Sequence, residues 1–102
     1  MLTEFQQQMA DAVNRLRPGE VVSFGDIASA AGRPNASRAA GKVLAESMDA
    51  LPWWRVVYSD GQLPPCNPTV QSERLIDEGV QLKAFRVIRS PLGRFQKKQR
   101  GG

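Results

Sequence analysis

The first apolar positions recur with a helical period. In residues 3–16, Phe5, Met9, Val13 and Leu16 share one face. Thr3 is placed to cap this helix, and Pro18-Gly19 stops it. Val21-Val22 reads as a short extended piece. Ser23 then caps a second helix, Phe24 to Ala30, with Asp26 at the capping-box position and Gly32 beyond its end. Pro34 predicts the start of a third helix that runs to about Met48. The apolar run at 53–58 predicts a strand through Tyr58, with Trp53 and Trp54 on its opposite sides. Ser59-Asp60-Gly61 is a turn, and residues 62–68 form a Pro-rich loop. A fourth helix is expected from about Thr69 to Glu78, stopped by Gly79. A small hairpin is expected around Ser90-Pro91-Leu92-Gly93, and residues 96–102 read as a flexible basic tail. The second and third helices, joined by a Gly-containing turn, read as a helix-turn-helix. The predicted fold is mainly α, a winged helix-turn-helix-like single domain over residues 1–95 with a short strand or small hairpin.

Charge sharpens this picture. A chain of 102 residues fits one domain with a modest core. Its net charge of +4 is unevenly spread. Residues 1–51 hold five Lys/Arg against six Asp/Glu, and residues 52–102 hold nine against four. After Glu78 there is no acid, while Lys83, Arg86, Arg89, Arg94, Lys97, Lys98 and Arg100 follow. Such one-sidedness is the footprint of a polyanion binder, or else a solvated basic end with no partner. One cysteine forms no internal disulfide, no apolar run is long enough for a bilayer, and the start of the chain reads as a polar helix. A cytoplasmic protein is expected (nucleoid-associated if bacterial), with no membrane contact and no dimer seam.

Composition also removes chemistry. The chain has no histidine, so Ser-His-Asp and Cys-His catalysis are unavailable within it. One cysteine and no histidine leave nothing for a structural zinc site. Neither a GxxxxGK[ST] nor a GxGxxG phosphate motif is present. No metal, no cofactor and no catalytic group are expected.

The third helix carries a different signal. Ala36, Ser37, Ala39, Ala40 and Gly41 surround Arg38, with Arg33 and Lys42 nearby. Small residues permit close backbone approach. Readers of major-groove base edges usually present several long polar side chains, and this helix presents essentially one. It suits a minor groove and a single inserting residue, or else it is an Ala-rich helix packed on its neighbours.

Four segments, GEVVSFGDIASAAG (19–32), NASRAAGKVL (35–44), PWWRVVYSDG (52–61) and RLIDEGV (74–80), occur in an order and spacing that resembles the DNA-binding domain of O6-alkylguanine-DNA alkyltransferases. The similarity is closer to the alkyltransferase-like proteins, which lack the acceptor cysteine, and it covers roughly residues 3 to 82. The transferases' Pro-Cys-His-Arg-Val run is matched here by Pro52-Trp53-Trp54-Arg55-Val56. Trp53 stands at the acceptor-cysteine position and Trp54 at that of the activating histidine. Trp54 departs from the alkyltransferase-like proteins too, where His is common. Glu78 matches the remaining member of the transferases' relay. Pro65-Cys66-Asn67-Pro68 superficially resembles the acceptor motif, but Cys66 is followed by Asn67, not a base, and is flanked by prolines.

The resemblance implies a recognition helix in the minor groove. Arg38 would be the arginine finger that replaces an extruded nucleotide. Phe24, Ser37, Ala39, Ala40, Gly41 and Lys42 would lie along the DNA. Phe24 stands where the transferases carry a Tyr that helps rotate the phosphate; Phe keeps the wall and lacks the hydroxyl, and a core aromatic is the alternative. Pro52, Trp53, Arg55, Glu78 and the 58–68 loop would form the lesion pocket, although Trp54 and Arg55 also fit structural roles. Such a protein binds O6-alkylguanine in double-stranded DNA as a monomer, marks it for nucleotide excision repair proteins and shields it from alkyltransferase. Two alternatives stay open: a sequence-specific winged helix-turn-helix regulator, and a transferase using Cys66.

Overall fold

The computed structural model describes residues 3–47 and 50–96. Helix α1 (Glu4–Asn14) starts at a reciprocal capping box. Thr3 Oγ1 accepts from the Gln6 N–H at 3.1 Å, and Gln6 Oε1 accepts from the Thr3 N–H at 2.9 Å. The helix ends at Asn14, short of Leu16, because the Leu16 N–H bonds back to Val13 and tightens the last turn. The chain reverses at Pro18-Gly19 and enters strand β1 (Glu20–Ser23). Ser23 caps helix α2 (Phe24–Ala30) with Asp26 completing a second capping box, and these bounds match those read from the sequence.

Helix α3 spans Ser37–Glu46 and does not begin at Pro34. The α2 helix closes with the Arg33 N–H reaching back to the Ala28 carbonyl, past Gly32 at φ +89°. Arg33 to Ala36 then form a turn closed by the Ala36 N–H on the Arg33 carbonyl. Pro34 therefore occupies the second position of a β-turn, which suits its fixed φ as well as a helix start does. The predicted helix end at Met48 lies outside the described residues, as does the basic tail beyond Gln96.

The expected strand at 53–58 is also different. Trp53–Arg55 form a 3-10 turn, and only Val56–Val57 are extended (strand β2). Pro52 starts this turn, since its carbonyl accepts the Arg55 N–H. The two indoles still diverge, edge to face at 87° with centroids 6.2 Å apart. Helix α4 covers Pro68–Asp77, capped by Glu78. The hairpin is formed by β3 (Gln81–Lys83) and β4 (Arg86–Arg89), turning at Ala84-Phe85 and not at 90–93. The 90–93 stretch instead delivers strand β5 (Leu92–Gly93) to β1. Gly93 resembles a turn signal, but its role is close approach: a Cβ there would collide with the Val21 backbone.

Strands β2, β1 and β5 form a parallel sheet in the order β2-β1-β5, with Val22 opposite Val56 and Glu20 opposite Leu92. The described residues thus build a small, mainly helical domain of four α-helices, this sheet and the β3–β4 hairpin. Two apolar clusters hold it. One joins α1, α2, α3 and Val56; the other joins Val21, Val57, Leu63, Leu75, Val80 and Val87. Trp53 packs on the first and Trp54 on the second, so the 3-10 turn sits at the seam between them. No helix among the described residues is long and apolar enough to cross a membrane.

Candidate nucleic-acid interface

Helix α3 and the segment from Tyr58 to Cys66 flank a largely apolar cavity of about 530 Å³. Leu44, Val56 and Gln71 are its buried lining residues, and Trp53 lines it half-buried. Its rim carries Arg38 and Ser37 from α3, Phe24 from α2, and Tyr58 and Cys66. Arg38 is exposed and, among the described residues, has no hydrogen-bond or ion-pair partner. Among the described residues the lining contains no carboxylate and no lysine.

The residues singled out in the sequence separate into groups. Trp53, Arg38, Ser37, Gly41 and Phe24 line one cavity. Lys42 is exposed on α3 but lies off the lining, and Ala39 packs half-buried against the first core. Ala40 is fully buried in that core, so its small size serves helix packing and it presents nothing to a ligand. Pro52 and Arg55 border a second, polar hollow that Trp53 also walls, together with Trp54 and Arg74. Glu78 borders neither.

Arg55 and Glu78 form a brace behind the tryptophans. Arg55 donates from Nη2 to Glu78 Oε2 at 2.7 Å and from Nε to Oε1 at 3.0 Å. Its Nη1 donates to the Leu16 carbonyl at 2.8 Å. Glu78 also accepts from the Trp54 indole Nε1 at 3.0 Å and from the Gly19 N–H at 2.9 Å. The brace ties the end of α1, the start of β1, the tryptophan turn and the end of α4 together. Burial alone would raise the Glu78 pKa. The hydrogen bonds from Arg55, Gly19 and Trp54, with the Arg55 charge, outweigh it and hold the carboxyl below its ordinary value.

The 58–68 loop expected at the pocket brings Tyr58 to the cavity, whereas Gln71, Arg74 and Arg94 escaped the sequence. The Tyr58 ring lies 5.6 Å from that of Phe24, centroid to centroid, and the two make one wall of the rim. Arg94 straps that wall, donating to the Ser59 carbonyl at 3.2 Å and to Asp26 at 3.1 Å. Arg74 lies 4.8 Å from the Trp54 ring and 5.8 Å from that of Trp53. Gln71 had one available signal: its spacing from Leu75 puts it on the apolar face of α4, where a polar residue needs a reason.

A family model described as "6-O-methylguanine DNA methyltransferase, DNA binding domain" matches residues 4–80. A "DNA base-flipping protein" of Escherichia coli (strain K12) is 37% identical over 82 residues, covering 76% of this chain; the chain spans only 64% of that relative's length. "Alkyltransferase-like protein 1" of Schizosaccharomyces pombe is 30% identical over 87 residues, 79% of this chain and 81% of that protein. The solved structure of S. pombe Atl1 in complex with damaged DNA containing O6-carboxymethylguanine aligns with a TM-score of 0.73 at 26% identity, over 97% of this chain and 100% of that one.

Proposed function

The chain belongs to the family of 6-O-methylguanine DNA methyltransferase DNA-binding domains, and from that premise we propose that it recognises O6-alkylguanine in double-stranded DNA without transferring the alkyl group. The observation that carries this is that the half-buried Trp53 and the exposed Arg38 line one largely apolar cavity. The fold acts as a winged helix-turn-helix, with α3 in the minor groove and the cationic β3–β4 hairpin as its wing. Extruding a nucleotide costs a few kcal/mol of stacking. The flat Arg38 guanidinium offsets that by filling the gap and hydrogen-bonding the orphaned base. The extruded base enters the cavity, and its O6-alkyl group rests on the Trp53 indole, a broad apolar surface in place of a nucleophile. Ser37 and Gly41 let α3 lie close to the duplex. Phe24 and Tyr58 wall the entry, and the Arg55–Glu78 brace holds the tryptophan turn in place rather than touching the lesion.

The protein then serves as a marker. It holds the lesion for nucleotide excision repair proteins and denies it to alkyltransferases. One observation favours a second reading, transfer to Cys66, because that thiol borders the same cavity. Against it, among the described residues no carboxylate or lysine lines the cavity to take the thiol proton, and the chain has no histidine. Binding of Trp53→Ala to matched duplexes tests the main reading. Preference for the lesion should fall by about tenfold or more while affinity for normal DNA stays within about threefold, because phosphate contacts carry no base information. Equal losses on both duplexes would make Trp53 a packing residue only.

A further inference from the structure

Gln71 is 1% exposed, and among the described residues it is the one polar side chain in the buried lining of the cavity. Its amide nitrogen donates to two backbone carbonyls, those of Trp54 and Val56, each at 3.1 Å. Two acceptors on one side fix the amide orientation, since only the N–H₂ end can face them. The carbonyl oxygen Oε1 therefore points the other way. Among the described residues no donor reaches Oε1 within hydrogen-bonding distance, yet no buried side-chain polar atom there is sealed off without a partner. Oε1 therefore keeps an opening, and for a residue this buried the cavity is the available one. An acceptor that is pre-oriented, unpartnered and surrounded by apolar lining is matched to a donor on a ligand.

We propose that Gln71 Oε1 accepts a hydrogen bond from the exocyclic 2-amino group of the base that enters the cavity, and so selects 2-aminopurines. This rests on the lesion-recognition reading above. Alkylation at O6 leaves N1 of guanine without its proton, so the 2-amino group is the remaining donor on the edge that carries O6. Gln71 bonds the carbonyl of Trp54, the neighbour of Trp53 in the chain, and both side chains line the cavity, so one edge of one purine can place its alkyl group on the Trp53 indole and its amino group on the Gln71 amide. Adenine carries its amino group at position 6, which would face Trp53, and leaves Gln71 unpaired.

The test compares three duplexes that differ at one base: guanine, O6-methylguanine and O6-methylhypoxanthine, which lacks the 2-amino group. Binding is measured by fluorescence anisotropy for the wild-type chain and for Gln71→Met and Gln71→Lys. The lysine variant keeps donors toward both carbonyls and removes only the acceptor; circular dichroism melts identify which variants fold. Wild type should bind O6-methylguanine about tenfold tighter than O6-methylhypoxanthine, the scale expected for an acceptor left unpaired. A folded variant should bind the two within about twofold. Equal wild-type affinity for those two lesions, or a folded variant that keeps the full wild-type ratio, overturns the assignment of Gln71 alone. Equal wild-type affinity for O6-methylguanine and guanine overturns lesion recognition, and the role of Gln71 with it.

Discussion

Replacing Glu78 by Gln isolates the brace behind the tryptophans. Glutamine keeps the length and one carbonyl oxygen, which still accepts from Gly19 and from Arg55 Nε. It turns the other position into an N–H₂ group that faces the Trp54 indole N–H and Arg55 Nη2, both of which now donate to Oε2. Arg55 loses its counter-charge, and its side chain is only 11% exposed, against 14% for Glu78. Removing one partner of a buried ion pair costs about 3–5 kcal/mol. This pair keeps a little solvent, and the amide retains part of the network, so about 2–3 kcal/mol is expected. For a domain of this size that lowers Tm by roughly 10–20 °C. Thermal melts at neutral pH should show this drop, and Arg55→Met added to Glu78→Gln should recover part of it by removing the uncompensated cation. The pH dependence follows from the same network. The folded-state pKa of Glu78 lies below its unfolded value of 4.5, so its stabilisation is complete above that pH and is lost as pH falls through the lower folded value. Glu78→Gln should therefore lose less stability than wild type on acidification below about pH 4.5. A single Glu78→Gln variant that melts within about 0.5 kcal/mol of wild type would refute the brace.

Arg38→Ala should leave the melt unchanged, because the side chain is exposed and unpartnered among the described residues, while weakening binding to a lesion duplex by about tenfold; unchanged affinity for both lesion and normal DNA would remove the finger role. Ala84 and Phe85 turn the hairpin at φ 50° and 60°, a region costly for residues with a Cβ. Ala84→Gly should stabilise the chain by about 1 kcal/mol, read as a higher Tm, and no gain would mean that the turn relaxes at no cost.

The local rules of the chain were legible wherever side chain and backbone agree. Ser23 with Asp26, and Gly32 beyond the end, define α2 because capping is a short-range matter. Pro34 misled because one fixed φ serves both a helix start and a turn, and the Arg33–Ala36 hydrogen bond decides between them. Trp53 to Tyr58 read as one strand because apolar runs do not distinguish a strand from a 3-10 turn between two cores. The hairpin turn at Ala84-Phe85 carries no Gly or Asn, and its geometry is held instead by contacts far along the chain, such as the Leu63 N–H on the Phe85 carbonyl. At the site, Arg38 and Trp53 stood out by residue type, and both line one cavity. Tyr58, Gln71 and Arg94 matter through position alone. Gln71 and Arg94 gain their partners only when distant segments meet, and no local pattern encodes that.

Recognition without transfer is tested most directly by anisotropy titration of the wild-type chain at fixed salt. One duplex carries a single O6-methylguanine and its match carries guanine, and the intact protein mass is read from the same samples. The account predicts tighter binding to the lesion, by about tenfold or more, with an unchanged protein mass. Equal binding to both duplexes, or a stoichiometric gain of one methyl group on the protein, would contradict it.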